Sequence, residues 1–229
     1  LTPASGGGTA AYKKAKDLVD KNGWFFARQF ETEDNPNIHE TTTAHEIYED
    51  FKDIGLDYWV SGYGTGGTFT GVSRYLKQKM PNTKLVLTEP DVAQLVGSKI
   101  SQKRNADNSA LKSHSSWNPH PIQGWTTDFI PYVLQESIDN KYIDELIPVS
   151  GDDGIFWANE LAKKEGIITG VSGGATFAVA VKVAEKAKKN SNILCMLPDT
   201  AERYMSSILF ENINTEMSVE ELEVFNSTK

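Results

Sequence analysis

The chain has 229 residues, 39% of them hydrophobic, and a formal net charge of −8. That acid excess argues against a nucleic-acid or anionic-membrane partner, whose phosphates it would repel. The apolar share is enough for a buried core in one or two domains. A single cysteine, Cys195, leaves no internal disulfide and suits a reducing compartment such as the cytoplasm. Four histidines without paired spacing make a metal site an unattractive reading. No run approaches a membrane span, and the opening Leu1-Thr2-Pro3-Ala4 reads as neither a signal nor a transit peptide. An organelle stays open if a transit segment lies upstream.

In chain order, residues 9–21 carry Tyr12, Ala15, Leu18 and Val19 on one helical face, and Asn22-Gly23 stops them. Trp24 to Ala27 reads as a strand, and the polar stretch Glu31 to Asn37 as a loop where a domain boundary falls. A helix from Thr43 to Lys52 closes at Gly55, and an apolar strand, Leu56 to Val60, runs into a glycine-rich turn. A helix from Thr68 to Lys79 and a strand from Leu85 to Thr88 follow. Residues 101–124, polar and rich in Ser, Asn, His and Pro, read as a long mobile or functional loop containing His114 and His120. Asp128 to Leu134 leads to a strand over Tyr142 to Val149. Next comes a helix over 153–164 with Ile155, Phe156 and Leu161 inward. A second glycine turn, 166–175, opens a helix from Thr176 to Lys188, and Ile193 to Leu197 reads as a buried strand with Cys195 in the core. After Phe210 the tail is acidic, with Glu216, Glu220, Glu221 and Glu223, and is expected as a short solvated helix or a frayed end. Strands alternating with helices at this spacing predict an α/β protein, a parallel twisted sheet flanked by helices.

The stretch with most chemistry is Ser61-Gly62-Tyr63-Gly64-Thr65-Gly66-Gly67-Thr68. Glycines let the backbone turn successive N–H groups inward, and the following helix aims its positive end at the same point. Such a loop either cradles a phosphate or merely turns the chain from strand to helix, as glycine turns commonly do. Two phosphate ligands compete for it. Gly62-x-Gly64-x-x-Gly67 fits a dinucleotide fingerprint, with Glu89 at about the right distance for a ribose hydroxyl. The other candidate is a mononucleotide-sized phosphate such as that of pyridoxal phosphate.

A dinucleotide fold has no need of a second strand–glycine–helix element with a serine in it, here Gly170-Val171-Ser172-Gly173-Gly174-Ala175. A pyridine ring does. The ordered series of Gln29-Phe30, Asn35-Pro36-Asn37-Ile38-His39, Thr41-Thr42, Gly64 to Thr68 and Thr70-Gly71 continues with Glu89-Pro90 and Ile122-Gln123-Gly124. Phe129-Ile130-Pro131, Gly170 to Ala175, Leu197-Pro198-Asp199 and Glu202-Arg203-Tyr204-Met205-Ser206 complete it. The whole resembles the cysteine synthase (O-acetylserine sulfhydrylase) family, fold-type II pyridoxal phosphate enzymes that include cystathionine β-synthase.

The resemblance implies a tryptophan synthase β-like fold and pyridoxal 5′-phosphate as cofactor. Gly64, Thr65, Gly66, Gly67 and Thr68 would hold the phosphate and Ser172 the pyridine nitrogen. Gln29, Phe30 and Gly124 would meet an amino-acid substrate. His39, Thr41 and Thr42 would tie the loop together. Serine, unlike aspartate, would leave the ring nitrogen largely unprotonated, suiting β-elimination followed by addition of a nucleophile. The implied reaction is O-acetylserine plus sulfide giving cysteine and acetate. Cystathionine β-synthase or cyanoalanine synthase chemistry is the rival. A catalytically inactive regulatory homologue and a nicotinamide-dependent dehydrogenase are the readings of other classes.

By the same resemblance, residues 1–31 are a remnant of the smaller N-terminal domain, 32–210 the large cofactor-binding domain and 211–229 the acidic tail. The family's Schiff-base lysine is then expected upstream of Leu1, leaving no catalytic residue in this chain and the chain alone inactive. Lysines such as Lys13, Lys14, Lys16, Lys77, Lys186 and Lys188 look solvated, and a protonated amine is a poor imine former. The family is usually homodimeric and binds serine acetyltransferase. Gly124-Trp125-Thr126-Thr127-Asp128-Phe129 stands where sulfhydrylases usually show Gly-Ile-Gly-Ala-Gly-Phe, which puts the acetyltransferase complex in doubt.

Overall fold

The structure, a computed structural model, describes residues 1–211 and 214–228. Helices α1 (Gly7–Asn22), α2 (Asp34–Thr41) and α3 (Thr43–Phe51) precede strand β1 (Tyr58–Gly62). Then come α4 (Gly67–Lys79), β2 (Lys84–Pro90), α5 (Tyr132–Asp139), β3 (Glu145–Val149) and α6 (Gly151–Glu165). Helix α7 (Val171–Ala184), β4 (Ile193–Cys195) and α8 (Val219–Ser227) complete the order. The four strands form one sheet in the order β3-β2-β1-β4, every pairing parallel, with Val60 opposite Val86 on one side and Cys195 on the other.

A strand sends successive side chains to opposite faces, so neighbouring apolar residues build two cores. Trp59, Leu85 and Leu87 pack with Phe69, Val72 and Leu76 of α4 and Leu134 of α5. Val60, Val86 and Val149 pack with Ala158 of α6 and Ala175 and Val179 of α7. Trp59 and Phe69 stack with ring centres 5.3 Å apart, worth about 0.5–1.5 kcal/mol beyond burial. Arg74 of α4 pairs with Glu33 at the N-cap of α2, with Glu40 within α2 and with Glu136 of α5, fixing α4 between them. No helix among the described residues is long and apolar enough to cross a membrane.

Several elements differ from the sequence reading. Trp24 to Ala27 is irregular, not a strand, with Trp24 and Phe25 exposed. A strand needs a neighbour to complete its ladder, and none lies beside this segment among the described residues. The presumed loop 31–37 already enters α2 at Asp34, because Pro36 sits in the first turn, where a missing N–H costs nothing. Helix α5 was hidden in a short stretch behind Pro131, its buried side formed by Val133, Leu134 and Ser137.

Phe156 points outward and is 55% exposed. The inner face of α6 is Gly154, Ala158 and Leu161, and it presses on α7 so closely that a Cβ on Gly174 would overlap the Gly154 carbonyl oxygen. Small residues choose that face, which turns Phe156 away. For the same reason Ser172 to Ala175 belong to α7 itself and not to a turn before it. The β4 edge strand is shorter than expected and half-buried. The 101–124 segment is irregular but anchored: Arg104 donates to the Ile130 carbonyl at 2.9 Å, and buried His114 contacts the Ile100 carbonyl at 3.0 Å. The tail forms α8, opened by a capping box between Ser218 and Glu221 and exposed throughout. Residues 212, 213 and 229 of that tail lie outside the described residues.

Candidate active site

Crevices outside the carboxyl ends of parallel strands are where α/β folds bind ligands. Here β1 ends at Gly62, and the chain turns through Tyr63–Gly66 into α4. Gly66 takes φ +86, a left-handed conformation that favours glycine, which swings the next amides toward the crevice. The amides of Gly64, Thr65, Gly66 and Thr68 reach no acceptor among the described residues. Free donors at a helix N-terminus are what an anion needs.

The loop is held from three sides. Asn35 at the start of α2 donates to the Thr65 hydroxyl at 2.8 Å and to the Gln29 carbonyl at 2.8 Å. Leu134 of α5 packs against Gly66, and the Gly124 carbonyl against Gly64, so closely that a Cβ on either glycine would collide. His39 bridges the hydroxyls of Thr68, at 3.1 Å, and Thr43, at 3.0 Å. Burial pushes the His39 imidazole below its ordinary value, which keeps it neutral.

A cavity of about 180 Å³ opens at this end of the sheet, walled by Gly64, Thr68, Gly124, Trp125, Ser172 and Asp199, among others. Ser172 lies in the first turn of α7 and is 3% exposed. The structure therefore brings Gly64, Thr68, Gly124 and Ser172 to one space. Thr65, Gly66 and Gly67 stand behind it: the Thr65 hydroxyl accepts from Asn35 and from the Gly67 amide at 3.2 Å. Gln29 and Phe30 are not part of its wall. The Gln29 carbonyl is taken by Asn35, and the Phe30 ring meets Phe129 edge-on at 5.0 Å. Trp125, Asp199 and Tyr204 do line it. The last two stand in the Leu197-Pro198-Asp199 and Glu202 to Ser206 motifs, and their place after β4, next to β1, brings them to the cavity.

The arrangement brings unpaired amide donors near the start of α4 and a serine hydroxyl at the start of α7 to one cavity. Glu89, the ribose acceptor of a dinucleotide reading, is fully buried and already accepts from the Tyr63 hydroxyl at 2.9 Å and from the Val96 and Gly97 amides. Burial raises its pKa, and it serves the core. A nicotinamide dinucleotide has no partner there.

Residues 1–199 match the family model described as "Pyridoxal-phosphate dependent enzyme". The chain belongs to that family. Within it, the chain is similar to O-ureido-L-serine synthase of Streptomyces lavendulae, 40% identical over 87% of this chain and 56% of the relative. It is also 35% identical to a cysteine synthase of Staphylococcus aureus strain Mu50, over 92% of this chain and 61% of the relative. A crystal structure of O-ureido-L-serine synthase superposes with a TM-score of 0.84 and 37% identity, covering 97% of this chain and 64% of that one. The chain thus spans between half and two thirds of the length of the proteins it matches. The fold is that of the fold-type II pyridoxal phosphate enzymes, in the cysteine synthase branch, and pyridoxal 5′-phosphate is the family's cofactor.

Proposed function

We propose that this chain supplies the phosphate-holding and ring-nitrogen-holding parts of a pyridoxal-phosphate-dependent β-replacement enzyme. The observation that carries the reading is one cavity lined by Gly64 and Thr68, whose amides are unpaired among the described residues, and by Ser172. The residues present fit the cofactor. The amides of Gly64, Thr65, Gly66 and Thr68 would hold its phosphate, and Ser172 its ring nitrogen. When bound, the cofactor supplies an electron-withdrawing ring for an amino acid joined to it.

The chain's own residues do the positioning. Asn35 and His39 fix the loop's hydroxyls, Gly124 closes the wall behind Gly64, and Trp125 narrows the mouth against Gly62, where a Cβ would overlap its indole. The substrate we assign is an O-activated serine: O-acetylserine and hydrosulfide would give cysteine and acetate. Residues 1–31 are assigned to the smaller domain, 32–210 to the large one and 211–229 to the tail, in an enzyme that works as a homodimer. We assign the amine that joins the cofactor to a segment outside residues 1–229, a reading supported by the cavity wall, in which no described residue is a lysine.

The test is turnover by the protein carrying this chain and a complete smaller domain. It should make cysteine from O-acetylserine and sulfide faster than cystathionine from serine and homocysteine; the reverse ranking would transfer the assignment to the cystathionine β-synthase reaction. Borohydride trapping with peptide mapping locates the amine. A labelled lysine between residues 1 and 229 would refute its placement.

A further inference from the structure

Thr68, at the start of α4, lines the cavity, and its hydroxyl has a single partner among the described residues, Nε2 of His39 at 3.1 Å. The other ring nitrogen, Nδ1, meets the hydroxyl of Thr43 at 3.0 Å, and that hydroxyl too has no further partner among them. One imidazole thus stands between two threonines. One belongs to the cavity wall; the other, the first residue of α3, does not.

The protons available limit what this series of bonds can do. Each hydroxyl brings one proton, and a neutral imidazole brings one on either nitrogen. Two links use two of the three and leave the third at one end. With the ring proton on Nδ1, His39 donates to Thr43, and Thr68 must donate to Nε2, so its proton is taken up by the ring. With the ring proton on Nε2, His39 donates to Thr68 and Thr43 donates to Nδ1. The Thr68 proton is then free for another acceptor. A doubly protonated ring would donate at both ends, but burial lowers the His39 pKa and opposes that form.

Both neutral forms fit the same heavy-atom distances, so what faces the Thr68 end decides between them. That end faces the cavity, where the amides of Gly64 and Thr68 are unpaired. An anion held by those amides is a charged acceptor, and a hydrogen bond to it is about twice as strong as one between neutral groups. The Thr43 hydroxyl has no such acceptor among the described residues.

We infer that His39 is a positioning residue that takes the Nε2–H form when an anion sits on the amides before α4, donating to Thr68 so that the Thr68 hydroxyl donates to that anion. The inference rests on the cofactor reading of the cavity and deepens it, since the anion is then a phosphate monoester. His39 itself is not part of the cavity wall and acts through Thr68. The ring carries one proton in either form and exchanges it with water, so no charge moves.

The experiment uses the 229-residue chain with nitrogen-15 in its histidine rings, and pyridoxamine 5′-phosphate, which needs no lysine. Phosphorus-31 NMR reports binding of the phosphate, and nitrogen-15 NMR tells a protonated ring nitrogen from a bare one. The signals of His39 are those missing from His39→Gln. In the bound chain Nε2 should be protonated and Nδ1 bare. A glutamine amide replaces the Nε2–H donor, so His39→Gln should bind within about threefold of the unsubstituted chain. His39→Leu offers Thr68 no donor and should bind about tenfold more weakly, the effect of one hydrogen bond. The ring form is read in the unsubstituted chain, so the inference stays testable if His39→Leu does not fold. A bound chain with Nδ1 protonated, alone or together with Nε2, overturns the inference and leaves the cofactor site standing, as does equal binding by the two variants. No bound phosphorus signal in the unsubstituted chain overturns the cofactor reading, and the inference with it.

Discussion

Asn35 holds the phosphate-type loop through Thr65: its side-chain amide donates to the Thr65 hydroxyl at 2.8 Å, and its carbonyl side sits where a side chain on Gly67 would have to go. One residue at the start of α2 thus sets both the hydroxyl behind the loop and the first residue of α4. Asn35→Ala removes two hydrogen bonds and leaves a part-buried hydroxyl with fewer partners. The expected loss is about 1–3 kcal/mol of stability, read as a lower urea midpoint at unchanged slope. Gly67→Ala should also weaken phosphate binding, because the added methyl must displace Asn35.

Helix α7 is seated on α6 through small residues. A Cβ on Gly174 would overlap the Gly154 carbonyl and come within 2.6 Å of the Ala158 amide nitrogen, both backbone atoms that cannot rotate aside. Gly174→Ala should therefore cost about 1–3 kcal/mol by overpacking, despite alanine's better helix propensity. A thermal melt that rose instead would show that the two helices are free to separate.

His39 gives stability a pH dependence of defined sign. Burial lowers its pKa in the folded chain, as it does for His120. Below about pH 6.5, the ordinary value for histidine, the unfolded chain takes up protons that the folded chain refuses. Stability should thus fall as pH falls through that range, continuing until the lowered folded-state values are reached. The urea midpoint measured between pH 5 and 7.5 checks this, and His39→Gln should flatten part of the slope.

Ser172→Ala removes the hydroxyl assigned to the ring end while leaving the α7 backbone in position. On the cofactor reading, binding of pyridoxamine 5′-phosphate should weaken about tenfold, roughly 1.4 kcal/mol for one hydrogen bond. Inorganic phosphate, which touches only the α4 end, should bind the variant and the unsubstituted chain alike. Fluorescence titration of both ligands separates the two ends of the cavity.

Much of this was legible in order along the chain. Alternating apolar strands and amphipathic helices determine a parallel sheet covered on both faces, since each element must bury its apolar side. The glycines at 64, 66 and 67 mark a phosphate-type loop because a tight turn ahead of a helix leaves amides unpaired. Ser172 stands out within a run of small residues for the same local reason. Trp24 to Ala27 and Phe156 were misread because strand pairing and helix orientation depend on what packs alongside, which no local pattern states. Asp199 was legible only as part of a motif. Its carboxylate enters the cavity because β4 lies next to β1 and delivers the end of a distant segment beside the N-terminus of α7. Local backbone chemistry thus wrote the loops into the sequence, while the strand order, a property of the whole chain, decided which of them share one cavity.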